Sequence, residues 1–387
     1  MTHPGEAVPD LLIENINLLA GDEWLESTRV YLSGGRIQAI GADAPGQAEH
    51  HIDGRGGYLL PGIIDLHGDA FERHITPRTG TLFPLDLALA ANDASLVANG
   101  ITTFFYSITD GFEPGPRSRQ TVRSLLDRLD ALAPRFRCQA RVHIRHEQAN
   151  TEDHEELVQW LDSGRVHLLS LNDHLPPMDN EGKIERYLDG LRRRVAMTPE
   201  ETQAFLEGLQ NRREPGAKQV QALARVAHRA GVSLASHDDM GPDDVARNRE
   251  LGTAIAEFPM DADTARASRE AGAAVLMGAP NLVRGGSHVG AISVRDAIAE
   301  KLVDILCSDY HYPSLFRAPF LAAEQGLLPL PEAWKLVSEN PARAAGLGDH
   351  KGRIAPGYDA DLLLLDRLDG LPLSIRCTLI AGSPVWR

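Results

Sequence analysis

The chain has 387 residues and a formal net charge of −15, with 24% charged and 43% hydrophobic side chains, enough for one large catalytic domain and a small companion. It has no run of lysine or arginine to serve as the electrostatic footprint of a nucleic-acid binder, and no apolar run near the roughly 18 residues that span a bilayer. Cys138, Cys307 and Cys377 are too scattered for a disulfide framework or a thiolate zinc cluster, and Met1 to Asp10 lacks the regions of a secretory signal, so a cytoplasmic location is expected.

In chain order, Leu12–Ile16, Val30–Leu32 and Arg36–Ile40 are short alternating runs broken by Gly34-Gly35 and Gly41. They predict antiparallel strands with turns. The same texture returns only in Asp361–Leu365 and Thr378–Ile380. Residues 1–58 and 351–387 are therefore expected to share one small β domain. Between them, 59–350 alternates apolar strand-like runs with helical patterns, the signature of βα units around a parallel sheet. Strands are expected at Ile63–Leu66, Ile101–Tyr106, Val142–Ile144, Leu168–Leu171, Ser233–Ala235, Ala254–Ala256, Ala274–Met277 and Asp304–Leu306. Such a series suggests an α/β protein with a closed (β/α)8 barrel. Ser118 precedes the stripe Val122, Leu125, Leu126, Leu129, Leu132, and Thr198 with Glu201 can form a capping box. Asn340-Pro341 is expected to open a further helix in the same way. Pro176 to Pro215, rich in charge, reads as a solvated helical insertion, with a lid over the barrel mouth as the alternative.

Metal-competent side chains sit where those strands end. Pro61-Gly62-Ile63-Ile64-Asp65-Leu66-His67-Gly68-Asp69 runs from an apolar core into two ligand-type residues at alternate positions, which strand geometry aims at one face. Glu147, His174, His237 and Asp309 follow later strands. A lone histidine is more often surface or core than ligand. In a barrel, however, the carboxyl-terminal rim is where distant segments converge, so His67, Asp69, Glu147, His174, His237 and Asp309 point to one site. Imidazole and carboxylate without thiolate suit zinc first and manganese second, as one or two divalent ions. Glu147 can bridge two ions, and Asp309 is placed to accept a proton from the attacking water. Asp65 is an alternative ligand or an orienting partner, and His143, His146 and His311 are left as supporting or unrelated histidines.

Gly278 to His288 follows the seventh strand and carries Arg284, Ser287 and His288. Backbone amides, a guanidinium fork and an imidazole suit phosphate; the plainer reading is a turn needing positive φ at Gly285 or Gly286. Arg73 and Arg78, just beyond the first ligands, either grip an anionic substrate or pair with nearby carboxylates.

The Pro61-to-Asp69 motif, the terminal β segments and Gly352-Arg353-Ile354-Ala355-Pro356-Gly357-Tyr358-Asp359-Ala360-Asp361 resemble the amidohydrolase superfamily. That superfamily usually ends its first strand in His-x-His, whereas this chain has His67-Gly68-Asp69. With Thr76-Pro77-Arg78, Ser236-His237-Asp238-Asp239, Ile255-Ala256-Glu257-Phe258-Pro259, Arg284-Gly285-Gly286-Ser287-His288 and Ser308-Asp309-Tyr310, it looks like the phosphonate-pathway branch. The resemblance implies a metal-bearing, distorted TIM-like barrel beside a small β-sandwich. It also implies hydrolysis of α-D-ribose 1-methylphosphonate 5-triphosphate to the 5-phosphate and diphosphate. By the same resemblance His67, Asp69, Glu147, His174 and His237 surround the metal, Asp309 is base or ligand, and Arg78, Arg284, Ser287 and His288 are candidates to meet phosphates. The implied partner is a small phosphorylated molecule; self-association is left open. The alternative keeps the site but attacks the carbon of an amide, ester or amidine, and a scaffold that has lost its chemistry is the third reading.

Overall fold

The computed structural model describes residues 9–78, 80–112, 117–176, 180–194, 197–286, 292–366 and 374–386. Four strands open the chain: β1 (Leu11–Ala20), β2 (Glu23–Ser33), β3 (Arg36–Ile40) and β4 (His50–Pro61). Barrel strands follow as β5 (Ile63–Gly68), β6 (Ile101–Asp110), β7 (Gln139–Glu147), β8 (Leu168–Asn172), β9 (Ser233–His237), β10 (Ile255–Glu257), β11 (Ala274–Gly278) and β12 (Ile305–Cys307). The chain ends in β13 (Leu362–Asp366), β14 (Ser374–Ile380) and β15 (Ser383–Trp386). Among the described residues no helix is long and apolar enough to cross a membrane.

The terminal strands form one seven-stranded sheet, β15-β14-β13-β4-β1-β2-β3. Its hydrogen bonding is continuous. The register shifts of β1 at Glu14/Ile16 and Ile16/Leu18 mark bulges, which bend a sheet. Pairing departs from the expected antiparallel pattern in one place, because β4 runs parallel to β1. After β3 the chain crosses back to the start of β1 and takes its free edge, with His50 N donating to Asp10 O at 2.9 Å. The first half of β4, His50 to Gly57, is polar and glycine-rich and carries no strand signal of its own. β13 joins the two domains. Leu362 and Leu364 enter the sheet's own core with Ile13, Leu18 and Leu32, while Leu363 and Leu365 enter the barrel's outer core. Period-two alternation thus buries both faces of one strand.

The eight barrel strands run in sequence order, each parallel to the next. Alternate residues point inward and form a ring: Phe105, Leu168, Ala235, Ile255, Leu276 and Ile305 pack together with Ile64 and Leu66. Ala342 and Leu347 join that cluster, and Ser233 Oγ donates to Ala344 O at 3.1 Å, next to the start of β9. The segment after Glu339 therefore plugs the amino-terminal end, which leaves the carboxyl-terminal rim for chemistry. Ser118 and Thr198 cap helices as expected, the latter with Glu201 in a capping box. Asn340-Pro341 does not open its helix, which begins at Glu339. Asn340 Nδ2 instead donates to Asp304 O at 2.8 Å, so its side chain is spent on tying the plug to the β12 approach. The 176–215 excursion is helical over Glu181–Arg194 and Pro199–Gln210. Leu188, Leu191, Leu206 and Leu209 give it a core of its own, packed on Phe112 and Leu175.

Closure of the barrel positions the site. β12 meets β5 through Asp309 N donating to His67 O at 2.9 Å and Asp69 N donating to Asp309 O at 3.0 Å. Deeper in the seam, Ser308 N donates to Asp65 Oδ1 at 3.1 Å. β5 carries an extra residue between Asp65 and Gly68 relative to β6, a bulge that re-aims side chains. Consecutive residues therefore both face inward, Leu66 into the apolar ring and His67 into the cavity above it. Gly68 is needed for space: a Cβ there would lie 2.4 Å from Phe104 Cε2 and 2.8 Å from Ser308 Oγ. Replacing Gly68 with alanine should lower stability by about 1–3 kcal/mol through overpacking, measured by urea denaturation, and should also weaken metal retention because the seam carries His67 and Asp69.

Candidate metal centre and active site

His67, Asp69, His237 and Asp309 line a cavity of about 190 Å³ at the barrel rim, with Arg145, Phe258 and Tyr310. His174 and Glu147 lie beyond His237, whose ring is 5.5 Å from that of His67 and 5.1 Å from that of His174. The six ligand-type residues therefore form one cluster in two parts, hinged on His237. Asp65 is held in the seam by Ser308 N and His67 N. Arg78 is exposed, pairs with Thr81 in an isolated bridge and is not among the residues that line the cavity. Arg284 ends a short helix, Ala279–Arg284, and its Nη1 donates to Tyr310 Oη at 3.0 Å. Gly285 follows with φ of 84°, so the turn reading holds at that position. Ser287 and His288 lie outside the described residues.

Among the described residues two groups of side chains could hold a metal ion, and both use His237. One adds His174 and Asp238. His174 Nε2 is 3.3 Å from His237 Nδ1, and each is 3.4 Å from Asp238 Oδ2. Ligands about 2.0–2.1 Å from a tetrahedral ion lie roughly 3.3–3.4 Å apart, so this triangle fits one face of such an ion. Glu147 Oε1 accepts from His174 Nδ1 at 2.6 Å, which leaves Nε2 as the free lone pair. The other group adds His67 and Glu257, with His67 Nδ1 2.9 Å from Glu257 Oε1. Below it, His143 Nε2 and Glu257 Oε2 are buried without a hydrogen-bond partner. A neutral imidazole has one lone pair, so His237 can serve only one group at a time.

Electrostatics favour cation binding. Burial opposes charge on His174, but Glu147 and Asp238 outweigh it and push its pKa up to about 10. Burial likewise opposes ionisation of Glu147, yet His174 holds it down at about 2. A pocket that draws a proton so strongly also draws a metal ion, which competes for the same lone pair. Burial drives His67 well down, helped by Arg145 and His237, and drives His143 down to about 3, so both imidazoles are neutral. Burial and the Asp69 charge raise Asp309 to about 7.

The rim is also strained. Asp238, Phe258 and Asp309 have positive φ of 54°, 56° and 52°. Aspartate tolerates that region and phenylalanine does not. Phe258 gains by it a position edge-on to His67 at 4.9 Å and to His237 at 5.3 Å, and strain of this kind concentrates at functional sites.

Glu257, Asp238 and Arg145 were not singled out as site residues from sequence. Glu257 closes β10 as His237 closes β9, so the strand-end rule would have found it; Asp238 adjoins a predicted ligand. Arg145 directly follows the strand expected at Val142–Ile144, but as a guanidinium it is no metal ligand and was passed over; the observed β7 runs on to Glu147. Removing Asp238 or His174 by alanine substitution should leave the protein unable to retain its ion against a competing chelator. Glu147→Gln, which takes the charge from the group braced on His174, should cost roughly 10–100-fold in metal affinity.

Comparison with known proteins agrees with this architecture. The Amidohydrolase family model matches residues 58–385. The chain is 34% identical over 93% of its length to alpha-D-ribose 1-methylphosphonate 5-triphosphate diphosphatase of Escherichia coli (strain K12), covering 96% of that protein. It is 24% identical over 96% of its length to adenine deaminase 3 of Rhizobium meliloti (strain 1021), covering 57% of it. The structure of dihydropyrimidinase from Brevibacillus agri matches 98% of this chain and 95% of its own, with TM-score 0.67 and 15% identity. N-isopropylammelide isopropylaminohydrolase from Burkholderia multivorans matches 97% and 98%, with TM-score 0.65 and 20% identity. These structures share the barrel with its small β-sandwich, and the chain is a metal-dependent hydrolase belonging to the amidohydrolase family.

Proposed function

We propose that the protein hydrolyses a phosphoanhydride of α-D-ribose 1-methylphosphonate 5-triphosphate, releasing diphosphate and leaving the 5-phosphate. The observation that carries this reading is the near full-length likeness, at 34% identity, to the Escherichia coli diphosphatase. The distribution of cations supports it. Arg73 lies over the Tyr310 ring at 5.8 Å and Arg284 donates to the Tyr310 hydroxyl, so two guanidiniums flank one residue of the cavity wall. That pair suits the outer phosphates of a polyanion. A cleft of about 780 Å³ between the helices Arg213–Ala230 and Pro242–Glu250 meets the cavity at His237 and Asp238 and offers room for the remainder of the substrate.

His174, His237 and Asp238 would hold a divalent ion, zinc or manganese, with Glu147 fixing His174; His67, Glu257 and Asp69 are the donors for a second. When bound, such an ion polarises a phosphoryl oxygen and acidifies water. Asp309, raised by burial and facing the same cavity, takes the proton from the attacking water, and the arginines hold the chain of phosphates in line. The three cysteines are buried free thiols, consistent with a cytoplasmic enzyme.

Incubation of the metal-loaded protein with the ribosyl triphosphate, followed by phosphorus NMR, should show diphosphate and the 5-phosphate in equal amounts, and a chelator should abolish both. Orthophosphate release, or turnover only of amides or amidines, would overturn the assignment in favour of the carbon electrophile. Asp309→Asn should lower kcat by about 10²–10⁴-fold. A carboxylate that must be ionised gives a rate that rises with pH through its pKa. The wild-type rate should therefore climb along an acidic limb at or below pH 7, since a bound cation shifts Asp309 downward from about 7. The variant should lack that limb.

A further inference from the structure

We infer that Arg145 is a catalytic residue that binds the phosphoryl group under attack, deep in the cavity and distinct from the outer pair Arg73 and Arg284; the inference rests on the phosphoanhydride reading given above. Arg145 lies on β7 with its side chain inward and is 8% exposed, a nearly complete burial for a guanidinium. Buried guanidiniums are normally matched by carboxylates in bidentate pairs, as Arg119 is by Asp110 on the outer face of the same barrel, at 2.5 and 2.7 Å. Arg145 has no such match. Its Nη1 is 3.7 Å from Asp69 Oδ2, too far for a hydrogen bond, and its Nε is buried with no partner.

The single hydrogen bond that Arg145 makes among the described residues, from Nη2 to His237 Nε2 at 3.1 Å, is conditional. His237 Nε2 accepts only in the tautomer whose Nδ1 carries the proton. Nδ1 is the atom that completes the triangle with His174 and Asp238, so use of that lone pair by a cation puts the proton on Nε2 and withdraws the acceptor from Arg145. What remains is a buried fork of donors whose nearest carboxylate, Asp69, stands off at 3.7 Å, in a cavity also lined by His67 and Asp309, with no acceptor seated on it. A tetrahedral oxyanion supplies both the charge and the paired acceptors that a planar guanidinium fits. A carbon electrophile with one developing oxyanion has less use for a fork. Donors aimed at developing charge in a dry site contribute mainly to rate, because the charge on the non-bridging oxygens is greatest in transit.

The test uses the metal-loaded full-length protein with Arg145→Met and Arg145→Lys, and inorganic phosphate and diphosphate as probes in calorimetric titrations. Metal content is measured on each sample. Arg145→Met should bind both anions about 10–100-fold more weakly at unchanged metal content, and Arg145→Lys should recover part of the loss as a point charge. With the triphosphate, Arg145→Met should lose about 10²–10³-fold in kcat with a smaller change in KM. Anion affinity unchanged in both variants would overturn the inference, as would a loss that excess metal restores, since Arg145 would then only balance neighbouring carboxylates. Should Arg145→Met fail to fold, Arg145→Lys and Arg145→Gln decide by the same criteria. Failure of the phosphoanhydride reading is seen separately, as absence of diphosphate from the wild-type reaction. If phosphate still binds there and Arg145→Met abolishes that binding, the anion site stands and the substrate is an anion of another kind.

Discussion

The hydrogen bonds that close the barrel, from Asp309 N to His67 O and from Asp69 N to Asp309 O, are the constraint on which the site depends. They join the first and last barrel strands at the rim, so three residues of the candidate site are fixed by the same backbone contact that completes the fold. Asp65 extends the seam inward by accepting from Ser308 N, and Gly68 lets the strands approach without a side chain between them. A bulge in β5 then turns His67 toward the cavity in defiance of strict alternation. Stability and function are coupled here through geometry.

Above that seam the molecule concentrates charge it does not fully neutralise. Glu147, Asp238, Asp69 and Asp309 face His174, His237 and Arg145 in and beside one partly buried cavity. Low dielectric strengthens every pair and penalises every group left over. Elsewhere the protein pairs its buried charges well: Asp110 binds Arg119, His146 and Asn150, and Lys351 reaches Asp361 at 2.5 Å and Asp359 at 3.1 Å. At the candidate site Glu257 Oε2, His143 Nε2 and Arg145 Nε are buried without a hydrogen-bond partner, as are some atoms elsewhere, His146 Nε2 and Arg141 Nε among them. Those at the site are what a cation and a polyanion would satisfy.

Much of the fold was legible beforehand because its signals are local. The eight apolar runs of the barrel announce themselves by composition, and Thr198 with Glu201 marks a helix start by hydrogen bonds within one turn. β4 was illegible because its first half is polar and glycine-rich and owes its strand state to the edge of β1. Asn340 misled for a related reason: its Nδ2 donates to Asp304 O and its Oδ1, the atom a cap would use, accepts from Arg343 Nη2. For the site, the rule that ligands follow strands pointed to His67, Asp69, Glu147, His174, His237 and Asp309, which the structure brings into one cluster. It could not rank them, since strand position alone does not say which side chains touch.

The amino-acid sequence determined the alternation of strands and helices, the burial of the parallel sheet and the placing of imidazoles and carboxylates at strand ends. Each follows from periodicity and residue type over a few positions. Tertiary structure alone decided which of those side chains share a triangle with 3.3 to 3.4 Å edges, that Glu147 rests on His174, and that Arg145 enters the cavity beside His237. The reason is physical: side-chain direction along a strand is set locally, but distances between strands are set by closure, bulges and seam hydrogen bonds, which depend on residues far apart in the chain.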